Sequence, residues 1–123
     1  MKLRALALGV FGAVSLAGAA SAHHAFNMYD NSKYANLTGT VKTFTWRNPH
    51  AMIDFVAETP EGQKDWSIEL SAPNIIGRRG WSAKSLKAGD RVPLVVHQMK
   101  DGSRYGLLVS ATLPNGQVLK DKN

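Results

Sequence analysis

The sequence predicts an all-β fold: a small five-stranded, OB-like barrel with one short helix between strands three and four. Three observations predict it. From Leu37 onward, apolar and polar residues alternate in five short runs, the period of half-buried strands. That period breaks once, over "SAPNIIGRRGW", where helix signals replace it. Turn residues (Pro, Gly, Asp) separate the runs. Three strands, a helix and two strands is the order of an OB barrel. An open sandwich of similar size shares this order, and chain order alone does not separate the two.

The first strand is "LTGTVKTFTW". Leu37, Gly39 and Val41 share one face, whereas Phe44 and Trp46 have the opposite parity, so a bulge is expected near Lys42-Thr43. In "AMIDFVAE", Ile53, Phe55 and Ala57 oppose Met52, Asp54 and Glu58, with one break at Val56. After the turn "TPEGQ", the third strand "KDWSIELS" sends Trp66, Ile68 and Leu70 inward. The helix follows, with Ser71 as its expected N-cap, Pro73 in its first turn and Gly80 as its stop. Trp81 then closes one end of the barrel. "SLKAGD" turns into the fourth strand, "RVPLVVHQM", and "DGS" into the fifth, "RYGLLVSATL". "PNGQVLKDKN" offers at most a short added strand. Gly39, Gly80 and Gly89 are the positions expected to tolerate a side chain worst.

The first 22 residues read as a secretory leader. Lys2 and Arg4 precede an apolar stretch from Ala5 to about Ala17, and Ala20-Ser21-Ala22 supplies small residues where a signal peptidase reads. The stretch is short against the ~20 residues of a membrane span. Cleavage after Ala22 makes His23 the mature amino terminus; cuts after Ala19 or Ala20 are the rival. The expected location is therefore the periplasm. Residues 23–36 form a polar lead-in that crosses the barrel, and residues 37–123 form the barrel domain. Removing 22 of 123 residues leaves 101, enough for one modest core. The leader holds two of the 15 basic residues, so 13 Lys and Arg face nine Asp and Glu, a net charge of +4. That mild, dispersed excess suits solubility and is not a nucleic-acid signature. No cysteine is present, which excludes disulfides, thiolate metal sites and a Cys nucleophile.

His23-His24-Ala25-Phe26, Thr38-Gly39-Thr40-Val41, Asn48-Pro49-His50, Arg78-Arg79-Gly80-Trp81 and Leu86-Lys87-Ala88-Gly89-Asp90 run through the mature chain. Together they resemble a family of small exported bacterial proteins of unknown function. The resemblance implies an exported single domain and carries over no activity. A looser, architectural likeness links "SLKAGDRVPLVV", its hairpin and "LLVSATL" to the periplasmic copper-efflux metallochaperone, a small OB barrel that holds Cu(I) with His, Met and a nearby Trp. Trp46, His50 and Met52 supply the same residue types here, but the Met-x-Met pair of that protein is missing and the order differs.

These residues make copper the expected ligand. A mature His23 presents its α-amine and Nδ1 to one ion; both lose protons near neutral pH, and such nitrogens favour Cu(II). His50 is the expected third nitrogen, with His24 as its substitute. Adjacent side chains diverge, so His24 would bind through its own Nδ1, the amine and the amide between. Met52 and Trp46 are candidates to assist a reduced ion. His97 and Met99 repeat the His-x-Met spacing with parity opposite to Val92, Leu94 and Val96, and are expected to face outward. The plain alternative for each is a solvated or turn-capping histidine and a gap-filling methionine.

Other functions find less support. Phe44, Trp46 and Trp66 among Lys42, Arg47, Arg78 and Arg79 outline a stacking groove for nucleic acid, but Trp66 alternates with core residues and export removes such partners. No nucleophile elbow or phosphate loop appears, so delivery or sequestration of the ion is expected rather than turnover. The rival from another class is a metal-free adaptor that binds an envelope protein or a carbohydrate through the barrel face.

Overall fold

The computed structural model describes residues 27–121. The leader, its cleavage site, His23 and His24 lie outside the described residues. Six strands form one sheet: β1 (Ala35–Thr45), β2 (Met52–Thr59), β3 (Gly62–Glu69), β4 (Arg91–Gln98), β5 (Tyr105–Thr112) and β6 (Val118–Lys120). Their order is β3-β2-β1-β4-β5-β6. A parallel pairing of β3 with β5, Ser67 to Tyr105 through Glu69 to Leu107, joins the ends of the five longer strands. The sheet is thereby a closed barrel, and the open-sandwich alternative falls. β6 is the short added strand, antiparallel to the far half of β5.

Closure depends on the way β1 serves two neighbours. Its first half pairs with β4, from Ala35 to Thr40, and its second half with β2, from Gly39 to Thr45. The register against β2 shifts between Val41 and Thr43, the bulge that the parity change predicted. An extra residue there bends the strand and raises its twist, so one strand can curl from one wall of the barrel to the next. Gly39 sits where both partners overlap, facing Ala57 on one side and Val92 on the other. A Cβ on Gly39 would stand 1.9 Å from the backbone oxygen of Val56. The position is glycine because the two strands cross too closely for a side chain.

Inward residues follow the predicted alternation. Val41, Ile53, Phe55, Ile68, Leu70, Val92, Leu94, Val96 and Leu108 are buried in one cluster. Helix α1 (Pro73–Ile76) continues as a 3-10 turn, Gly77–Arg79, and drives Ile76 into the same cluster. Pro73 opens α1, and Gly80 ends the turn in the left-handed region at φ 96°. The N-cap is Ala72, with no side-chain cap, and not Ser71. Ser71 lies one residue before the N-cap, buried, with its N–H donating at 2.7 Å to the Asp121 carboxylate and its carbonyl facing the Ala51 N–H. Trp81 closes its end of the barrel, buried against the core, with Nε1 donating to the Lys120 carbonyl at 3.1 Å.

The described part of the lead-in, from Asn27 onward, lies across the outside of the barrel as a strap. Asp30 N–H donates to the Gln98 carbonyl and Lys100 N–H to the Met28 carbonyl, both at 2.8 Å, around a bridge between Tyr29 and Met99. Strand β1 then starts at Ala35, two residues before the predicted Leu37. Tyr29 and Leu107 are buried although neither belongs to the main cluster.

Candidate functional site

The β1–β2 loop and the first residue of β2 carry three of the predicted site residues. Trp46 leaves β1 half-buried, its ring edge-on to Phe44 with centroids 6.0 Å apart. The chain then passes a cis Asn48-Pro49 peptide to His50. Ala51, fully buried, is held between strands: its N–H faces the Ser71 carbonyl and its carbonyl accepts Leu70 N–H at 2.9 Å. This pins His50 beside the end of β3. One residue later, Met52 stands directly across from Glu69 in the β2–β3 register.

Glu69 organises the site. Its Oε1 lies 3.5 Å from His50 Nε2, and its Oε2 accepts the Tyr29 hydroxyl at 3.0 Å. Only 16% of its side chain is exposed, against 28% for His50. A carboxylate so far out of water needs donors, and the strap brings one of them. Burial pushes the Tyr29 hydroxyl well above the usual tyrosine range, and the charge and hydrogen bond of Glu69 push it further in the same direction. The strap, the β1–β2 loop and the end of β3 therefore meet at one carboxylate, with Met52 alongside.

The second His-x-Met pair is placed differently. His97 points away from the barrel interior, as its parity predicted, yet it is 3% exposed because the strap covers it. Its Nδ1 is 2.7 Å from the Lys33 carbonyl, and its ring lies against Tyr34 with centroids 4.8 Å apart. The Met99 sulfur accepts the Ser103 hydroxyl at 3.1 Å. Both residues have structural partners within the strap and the β4–β5 hairpin. Among the described residues, no three His, Asp or Glu side chains converge into a metal-binding group. A complete three-nitrogen site therefore needs donors from the chain before Asn27.

Sequence reading missed Glu69 and Tyr29. On its strand Glu69 alternates with Ile68 and Leu70 and reads as a solvated position; Tyr29 sits in a polar segment. The partners are 40 residues apart, so no local spacing signals the contact.

A groove of about 480 Å³ runs between β2–β3 and the β4–β5 loop. Its charges are largely paired. Lys42 lies 3.5 Å from Asp65, Asp54 accepts the Thr43 hydroxyl at 2.7 Å, and Arg104 donates to the Asp65 carbonyl. Tyr105 is half-exposed at its wall. Trp66 is buried in the core, so the aromatic platform considered for nucleic acid loses its middle member. Among the described residues no helix is long and apolar enough to cross a membrane.

Fold and site together define a small β-barrel domain whose outer girdle is strapped by the described segment that precedes β1. A family model described as a family of unknown function (DUF6152) matches residues 12–110, and the chain belongs to that family. No curated protein and no solved structure matches the chain.

Proposed function

We propose that the exported, processed protein binds copper for delivery or sequestration in the periplasm, with His23 supplying its amine and Nδ1 and His50 the third nitrogen. One observation carries this reading: Tyr29 and His50 face the two oxygens of the same carboxylate. The start of the strap is thus tied beside His50, with one tyrosine side chain and one carboxylate between them. His23 precedes Tyr29 by six residues, and six extended residues span ~20 Å, enough to bring the amine back to the imidazole. His24 is the substitute donor. Met52, opposite Glu69, and Trp46, in the β1–β2 loop, are the candidates to assist a reduced ion. His97 and Met99 are left out of this reading, since the strap and Ser103 already engage them.

The test is Cu(II) titration of the processed protein beside a form with one extra amino-terminal Ala and a His50→Ala variant. The added Ala keeps every side chain but moves the amine away from His23. Each change is expected to weaken binding about tenfold or more, a loss of ~1.4 kcal/mol per decade. Affinity should also fall below about pH 6, where the nitrogens hold their protons. Equal binding by all three proteins refutes the reading. The groove and its half-exposed Tyr105 favour the metal-free adaptor as the second reading. Capture of an envelope protein or carbohydrate that ignores both chelator and loss of His23 would support it.

A further inference from the structure

A row of side chains crosses the outer face of four strands. Register sets Thr43 of β1 beside Asp54 of β2, Asp54 beside Ser67 of β3, and Ser67 beside Tyr105 of β5. All four line the groove of about 480 Å³. The neighbouring row is covered where Tyr29 of the strap reaches Glu69 and where Leu107 is buried, whereas Thr43, Asp54 and Tyr105 stay exposed. At ~4.8 Å between adjacent strands the open row is ~14 Å long, room for a few sugar rings in line. We propose that this groove binds an uncharged, hydroxyl-rich ligand, a short oligosaccharide laid across the strands, with Asp54 and Ser67 on its hydroxyls and Tyr105 against the C–H face of one ring. The inference rests on the metal-free adaptor reading, to which it gives a ligand class, and it uses neither His23 nor His50.

The chemistry of the lining selects that class. Thr43 Oγ1 donates to Asp54 Oδ2 at 2.7 Å, which orients the carboxylate. Among the described residues, no hydrogen bond occupies Asp54 Oδ1, the Ser67 hydroxyl or the Tyr105 hydroxyl. An oriented acceptor beside hydroxyls that both donate and accept matches a run of sugar hydroxyls, which do the same. Charge argues the same way. Lys42 and Arg104 are balanced by Asp54 and Asp65, so the lining has no net charge. A nucleic acid would bring its phosphates beside Asp54 with no cationic surplus to hold them. An extended peptide finds no strand edge here, because β3 and β5 pair with each other from Ser67 to Glu69. An apolar segment would strip water from Asp54 and give nothing back. A sugar ring offers both hydroxyls for the polar floor and C–H groups for the half-exposed tyrosine. The Lys42–Asp65 pair at the rim is exposed on both sides, weak enough to part for a ligand.

The test is titration of ¹⁵N-labelled protein, with a chelator present, by three uncharged probes: cellotetraose, maltotetraose and the tetramer of N-acetylglucosamine. At least one is expected to shift the backbone amides of Asp54, Ser67 and Tyr105, with a Kd of about 1 mM or tighter. Tyr105→Ala and Asp54→Ala are each expected to weaken that probe about tenfold, through loss of the ring and of the ionic acceptor. Both residues are exposed, so both variants should keep the wild-type spectrum away from the groove. No shift with any probe overturns the proposal, as do shifts confined to other parts of the barrel, or equal binding by wild type and both variants. A thymidine oligonucleotide that moves the same amides at lower concentration than every sugar also overturns it, in favour of nucleic acid. If a variant fails to fold, the position of the shifted amides in the wild type decides the matter. Failure of this proposal and of the adaptor reading remain distinct: with no sugar bound but an envelope protein captured, the saccharide site falls and the adaptor stands.

Discussion

Asp121 ties the end of the chain to the start of the helical segment, and its removal should be among the most costly single changes. Its side chain is fully buried. Oδ2 accepts Ser71 N–H at 2.7 Å and Oδ1 accepts Arg79 Nη1 at 3.2 Å. The two contacts differ in weight. Ser71 is buried, so in Asp121→Ala its N–H loses an ionic acceptor with no water to replace it, at about 1.5–3 kcal/mol. Arg79 is 46% exposed and returns to solvent, so its pairing adds about 0–1 kcal/mol. The expected loss is about 2–4 kcal/mol, a large share of the ~5–15 kcal/mol that holds a domain of this kind together. Urea unfolding followed by tryptophan fluorescence measures it, since Trp81 hydrogen-bonds the residue next to Asp121. At ordinary slopes of ~1–3 kcal/mol/M the midpoint should fall by about 1–2 M. Asp121→Asn keeps an acceptor for Ser71 and should lose roughly half as much. A midpoint for Asp121→Ala within about 0.3 M of wild type would refute the reasoning, because the buried donor would then have found another partner.

Gly39→Ala is expected to cost more than the ~1–3 kcal/mol of ordinary overpacking, because the atoms in the way are β2 backbone and cannot rotate aside; a urea midpoint near wild type would show the β1–β2 crossing to be looser than described. Tyr29 predicts an alkaline effect. Its folded pKa is raised, so the stability it confers is fully present below the unfolded value of ~10 and is lost as pH climbs above it. The gap in unfolding free energy between wild type and Tyr29→Phe should stay constant below about pH 10 and narrow above it; a gap that widens there contradicts the assignment. Glu58→Gln, which breaks the exposed pair with Arg91, should change stability by less than ~1 kcal/mol despite its forked geometry, as thermal melts at low and high salt can check.

Much of the barrel was legible because it rests on local pattern. A strand buried on one face must alternate, so Trp66, Ile68 and Leu70 announce their direction without reference to any other strand. The bulge at Lys42 shows as a change of parity, since an extra residue in a period of two inverts every later side chain. Gly80 shows because a left-handed helix end favours glycine. The helix start was read less well: Ser71 has the chemistry of a cap, but the helix begins one residue too late for it, and Ala72 takes the position.

What the sequence alone determined is which residues turn inward and where the strand period stops, because both follow from the chain's own geometry over a few residues. The tertiary structure decided what covers the outward face. His97 was read as facing out and does so, but the strap buries it through a carbonyl 64 residues away. Glu69 and Asp121 look like solvated acids on a strand and a tail, yet one is mostly withdrawn from water against a tyrosine 40 residues away and the other is fully buried against an amide 50 residues away. A polar side chain carries no mark of whether it meets water or a protein donor, since either satisfies the same lone pairs. That choice is made only when closure of the barrel brings remote segments to the same place.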